Sequence, residues 1–157
     1  MTAMERETAN LIRQHEAIEA HMRFLTKGLK KLTIESAEEK GKPSDLKERI
    51  TLYRWSLYDF QEAMRRHMEL DEQVFQSLRD RALSKECSNE HQEIQRQIED
   101  VIHRAEQVVY DRMDWQELNQ NAIYIREAVK RMYEYVQAHI TKEDTLLKTA
   151  PKNHEPG

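Results

Sequence analysis

Of seven histidines, four fall one to each of four long helical segments: His15, His67, His91 and His139. Two carboxylates accompany them at helical spacing. Asp71 stands four residues after His67, and Glu143 four after His139. Residues i and i+4 share one helix face, so the second and fourth segments each present an imidazole and an acid to one volume. A single histidine on a helix is ordinary. Four of them, each on or beside an apolar stripe and two with an acid one turn on, make a candidate metal-ligand set. Imidazole with carboxylate suits non-haem iron, a carboxylate has two oxygens with which to bridge two ions, and four imidazoles with two acids match a pair of irons. Glu72 and Asp144, each one residue further on, are competing carboxylates.

The stripes that carry these residues have the helical period of three, four and seven. The first segment runs from Thr2 to Leu32, with Leu11, Ile12, Ile18, Met22, Leu25, Leu29 and Leu32. A break at 36–43 contains Gly41 and Pro43, and Ser44 stands where an N-cap is expected. The second segment, from Asp45 to Leu78, carries Tyr53, Leu57, Phe60, Met64, Val74, Phe75 and Leu78. The third begins near Ser84 or Ser88 and carries Ile94, Ile98, Val101, Ile102, Ala105, Val108 and Val109. Asp114 with Glu117 three residues later forms a capping-box pattern for the fourth, whose stripe includes Ile125, Ala128, Val129, Met132, Val136 and Leu146. Short connections favour antiparallel neighbours. The expected fold is therefore all-α, an up-down-up-down antiparallel four-helix bundle over residues 1–149, with a flexible C-terminal tail at 150–157.

In that arrangement depth can be counted from one end of the bundle. At the helical rise, His15, His67, His91 and His139 lie about 18, 17, 9 and 14 Å in. Given the uncertainty of helix ends, all four fall in roughly one slab.

Composition removes other classes. Glycine and proline number only three each among 157 residues, and 34% of residues are charged, which suits long amphipathic helices rather than turn-rich folds. The net charge of −4 with interspersed signs lacks the basic footprint of nucleic-acid binding. No apolar run approaches the ~20 residues of a membrane span, and the first residues lack a signal-peptide core. One cysteine, Cys87, excludes an internal disulfide framework and cysteine-rich zinc or iron–sulfur sites. A cytoplasmic setting is expected, with no nucleic-acid or membrane partner. The residues three before each histidine are Ile12, Ile18, Met64, Ser88, Asp100, Val136 and Pro151; none is Glu, which disfavours the ferritin-like Glu-x-x-His scheme.

The order His15, His67-x-x-x-Asp71, His91, His139-x-x-x-Glu143-Asp144 resembles the hemerythrin-like (HHE cation-binding) family, over about 3–147. The resemblance implies two non-haem iron ions bridged by carboxylates, with His15, His67, Asp71, His91, His139 and Glu143 as ligands. It also implies a small diatomic ligand, oxygen or nitric oxide; the expected mechanism places it at an open position on one iron, with Ile94, Met64 and Val136 as apolar walls that exclude water. Members of that family bind oxygen, sense oxygen or iron, handle nitric oxide, or act in iron–sulfur cluster repair. Two departures stand out. Gln95 occupies the place of a second histidine on the third helix, and Asp71 replaces the usual Glu, with Glu72 adjoining. Both weigh against reversible oxygen carriage while leaving metal binding in place. Gln95 or a further acid is then a candidate replacement, and Glu19, one turn after His15, an extra ligand, a supporting acceptor or a surface charge, the last two being favoured.

The expectation is a di-iron protein that binds oxygen, nitric oxide or iron for sensing, storage or carriage, and a binder rather than an enzyme. The alternatives are a di-iron enzyme or repair factor against oxidative or nitrosative stress, and a metal-free helical interaction module. His21 and His103 are expected to be exposed, His154 lies in the tail, and Cys87 and Tyr135 are expected to pack in the core.

Overall fold

Thr2 starts the first helix. Its hydroxyl accepts from the Glu5 amide at 3.1 Å, and its own amide donates to Glu5 Oε2 at 3.2 Å, a reciprocal cap that satisfies two otherwise unpaired backbone donors. The computed structural model describes residues 2–32, 43–76 and 81–153. Among them are four long α-helices and no strand: α1 (Ala3–Gly28), α2 (Pro43–Gln76), α3 (Arg81–Tyr110) and α4 (Trp115–Asn153), with a 3₁₀ turn at Leu29–Leu32 after α1. Each helix packs against the next in the chain, and α1 also packs against α4, as in a helical bundle. No helix of the described residues is long and apolar enough to cross a membrane.

The helix boundaries correct two expectations. Ser44 is not a cap, because α2 already begins at Pro43. Proline's fixed φ and missing N–H suit a first helical position, where that donor has no partner in any case. Neither Ser84 nor Ser88 caps α3, which begins at Arg81. The Arg81-Ala82-Leu83 run consists of good helix formers that carry the helix back past both serines. The expected cap of α4 is present: Asp114 Oδ1 accepts from the Glu117 amide at 2.8 Å, and Glu117 Oε1 accepts from the Asp114 amide at 3.4 Å. Helix α4 continues to Asn153, past the Pro151 at which the sequence opens a tail, and residues 154–157 lie outside the described residues. So do most of the break at 36–43, Leu78, and the side chain of Phe75.

The stripes meet in two apolar clusters. The larger one spans all four helices and includes Ile18, Met22, Leu25, Leu57, Phe60, Met64, Ile94, Ile98, Val129, Met132, Val136 and Ile140. The smaller consists of Leu11, Val74 and Leu147. His15 lies between Leu11 and Ile18 along α1, His67 between Met64 and Val74 along α2, and His139 between Val136 and Leu147 along α4. A polar layer therefore interrupts the core at one level, and the two apolar clusters close it off on either side.

Candidate metal centre

All six principal candidate ligands are in that layer. His15 is 2% exposed, His67 1%, Asp71 0%, His91 3%, His139 1% and Glu143 0%. Burying six ionisable side chains together is costly unless they are paired or hold a cation. Their arrangement shows how the cost is met. Three imidazoles donate outward through Nδ1–H: His15 to Asp144 Oδ1 at 2.5 Å, His67 to Gln14 Oε1 at 3.1 Å, and His139 to Glu90 Oε1 at 3.0 Å. An acceptor behind Nδ1 fixes the tautomer and leaves the Nε2 lone pair free, which is the usual support for a metal-ligating histidine.

The Nε2 atoms turn inward. Those of His15 and His67 are 3.2 Å apart, and Glu143 Oε1 lies 3.3 and 3.2 Å from them. His139 Nε2 is 2.9 Å from the same Glu143 oxygen. His91 Nε2 is 2.7 Å from Asp71 Oδ2 and 3.5 Å from Glu143 Oε2. His67 Nε2 is 3.5 Å from Asp71 Oδ2. The rings group as two pairs. Their centroids are 4.6 Å apart for His15 and His67, 4.7 Å for His91 and His139, and 6.2 Å from His67 to His91. Asp71 and Glu143 each approach a histidine of both pairs.

Only part of this proximity is hydrogen bonding: the Nε2 atoms of His15 and His67 and Glu143 Oε1 lie within hydrogen-bond geometry of one another. Asp71 Oδ1 and Oδ2, His91 Nδ1 and Nε2, His139 Nε2 and Glu143 Oε2 are buried without a hydrogen-bond partner among the described residues. The 2.7 Å approach of His91 Nε2 to Asp71 Oδ2 is thus a close contact that does not count as a hydrogen bond. Two ligands on one ion with bonds of about 2.1 Å stand about 3.0–3.4 Å apart at octahedral or tetrahedral angles. The inward contacts cluster around that spacing. One ligand atom each from His67, Asp71, His91 and Glu143 lies within 4.8 Å of the others, a group able to hold a metal ion.

Electrostatics point the same way. Burial alone would lower His67 and His91, but Asp71 and Glu143 outweigh it and push both up to about 9. Burial, reinforced by Glu143, raises Asp71. Glu143 is held well below the usual carboxylate range: burial opposes this, and the polar groups of Asp71 and the histidines crowded around it overcome it. A cation bound among these groups would compete with protons for the same nitrogen and oxygen atoms.

The remaining candidates lie elsewhere. Asp144 is half-buried and serves His15 from behind, while Glu143 occupies the interior. Glu72 and Gln95 are exposed and Glu19 is half-buried; none belongs to the buried cluster. Gln95 lines an open groove between α2 and α3 with Met64 and Met68. His103 is exposed, His21 half-buried, and Tyr135 packs partly buried against the core. Cys87 is a buried free thiol that burial, with the charges of Glu143, Asp71 and Glu90, pushes up to about 12. It stays protonated at neutral pH and does not offer a thiolate.

Sequence reasoning missed Gln14 and Glu90. Each sits one residue before a candidate ligand, His15 or His91, and reaches across to a histidine of another helix, His67 or His139. That adjacency, an acceptor immediately before His15 and before His91, was the only signal in the sequence. No protein-family model matches the chain, and no curated protein matches it.

Proposed function

We propose that this protein is a hemerythrin-like non-haem di-iron protein, with the four helices in up-down-up-down order, that binds a diatomic ligand or iron itself. The observation that carries the reading is the two-sided histidine layer. Three Nδ1–H groups are committed to outward acceptors, while four Nε2 atoms and two carboxylates converge, and of these the Nε2 atoms of His91 and His139, both Asp71 oxygens and Glu143 Oε2 have no hydrogen-bond partner among the described residues. His15 and His67 would hold one ion, His91 and His139 the other, with Asp71 and Glu143 reaching both. Nitrogen and oxygen donors without thiolate suit iron. A di-iron pair in this layer would supply one-electron redox chemistry and an open position for oxygen or nitric oxide.

The chain's own residues supply the rest. Asp144, Gln14 and Glu90 orient three imidazoles. Met64, Ile94 and Val136, all buried, exclude water on one side of the layer, and Leu11, Val74 and Leu147 close the other. A reducing compartment suits a chain whose one cysteine is a buried free thiol.

A second reading has a specific observation behind it. His67 and His91, both pushed up to about 9, can hold Asp71 and Glu143 as a proton-satisfied network in a metal-free helical module. Metal analysis of protein expressed in iron-supplemented medium separates the two. The di-iron reading expects two irons per chain and near-ultraviolet absorption that changes on exposure to air or nitric oxide. A chain without iron, whose melting temperature ignores added ferrous ion, would leave the metal-free module.

A further inference from the structure

The outward acceptors divide unequally between the two histidine pairs. Both members of the His15–His67 pair are held from behind, His15 by the Asp144 carboxylate at 2.5 Å and His67 by Gln14 at 3.1 Å. In the other pair only His139 is held. Its acceptor, Glu90, also lies 3.5 Å from Lys142 Nζ, a cation that Glu86 contacts as well. His91 Nδ1 is buried with no partner among the described residues.

An anionic acceptor behind a histidine makes the ring a stronger donor and fixes its orientation, and loss of such an acceptor typically weakens metal binding about 10–100-fold. Asp144 gives His15 that support in full. Glu90 divides its charge between His139 and Lys142, and His91 Nδ1 has no such acceptor among the described residues. We propose that the two pairs bind divalent transition-metal ions unequally: the His15–His67 pair is the tight, resident subsite and the His91–His139 pair the exchangeable one. This rests on the two-ion reading above and deepens it. A chain with one resident and one exchangeable ion reports or hands on free ferrous ion through the second subsite. Gln14, Glu90 and Asp144 are positioning residues that set the difference.

The test is an anaerobic titration with cobalt(II), a coloured stand-in for ferrous ion, followed by visible absorption and calorimetry. The wild-type chain is expected to fill in two steps at least ~10-fold apart in affinity. His91→Ala should abolish the weaker step and leave the tighter one. Glu90→Gln should weaken the second step about tenfold and leave the first. Asp144→Asn should weaken the first step and narrow the gap. Glu90→Gln and Asp144→Asn keep side-chain size, and circular dichroism identifies any variant that fails to fold. Two steps of equal affinity, or loss of the tight step in His91→Ala, would overturn the unequal assignment while leaving the two-ion centre standing. One ion at most, or no cobalt bound by the wild-type chain, would contradict the two-ion reading itself.

Discussion

Asp144 Oδ1 lies 2.5 Å from His15 Nδ1, and Glu143, its neighbour in the chain, has Oε1 3.3 Å from the Nε2 of the same ring. Two consecutive acids of α4 thus grip one imidazole of α1 from opposite sides. They do so because successive residues of a helix point about 100° apart. The inner acid faces the layer and the outer one reaches around the ring.

Substitution should therefore separate the two acids. Glu143→Gln removes a carboxylate that approaches both histidine pairs, and the isolated protein is expected to carry less than one iron per chain. Asp144→Asn keeps the inward set intact and should keep iron, with affinity lowered about 10–100-fold. Elemental analysis with chelator competition reads both. Equal losses in the two variants would place Asp144 among the ligands.

Iron should stabilise the fold. An ion present at 100 times its dissociation constant adds about 2.7 kcal/mol, which for a domain of this size raises the melting temperature by roughly 5–10 °C. Alanine at His15, His67, His91 and His139 together should abolish the rise. Differential scanning calorimetry with and without ferrous ion, under anaerobic conditions, checks it. A rise that survives the fourfold substitution would place the ion elsewhere.

The set of six was legible because helical spacing constrains it so strongly. His67 with Asp71 and His139 with Glu143 share faces by arithmetic alone, and the stripes around His15 and His91 point them inward. The choice between Glu143 and Asp144 was not legible. It turns on a rotation of about 100°, and on the slight turn of α4 about its axis that packing decides. Gln14 and Glu90 were hidden for a related reason. Their partners are on other helices, and adjacency to His15 or His91 alone does not single out Gln14, or one acid among 29. Ser44, Ser84 and Ser88 misled because a good capping residue is also tolerated one or more positions inside a helix when its neighbours are good helix formers.

Phe60 is fully buried in the larger apolar cluster, two turns before His67 on α2. Phe60→Ala should cost about 3–5 kcal/mol. The folded fraction should still bind metal at the wild-type stoichiometry, since none of the six proposed ligands is altered. Denaturant midpoints and a metal count on the same sample test both halves.

Gly28 closes α1 against the ring of Tyr53. A Cβ at position 28 would stand 2.9 Å from Tyr53 Cε2 and 3.2 Å from Cδ2. Tyr53 cannot easily give way, because the ring is buried and its hydroxyl donates to the Leu25 carbonyl at 2.9 Å. Alanine gains about 1 kcal/mol of helix propensity over glycine, but overpacking typically costs 1–3 kcal/mol. Gly28→Ala is therefore expected to destabilise by about 1 kcal/mol. A higher urea midpoint in the variant would show that the ring yields.

Asp114 and Glu117 cap α4 reciprocally. Asp114→Ala should lower stability by about 1 kcal/mol, and Asp114→Ser should restore most of it. The urea midpoints of the two variants decide. A full loss in both would mean that the carboxylate, not the cap geometry, carries the effect.

The most direct test of the metal centre is the amount of ferrous ion bound at saturation in an anaerobic titration of the metal-free protein. Two ions per chain, falling to one or none when His67 is replaced by alanine, is the result predicted. No binding, or binding that His67→Ala leaves untouched, would contradict the assignment and return the buried histidine layer to a proton-held polar network.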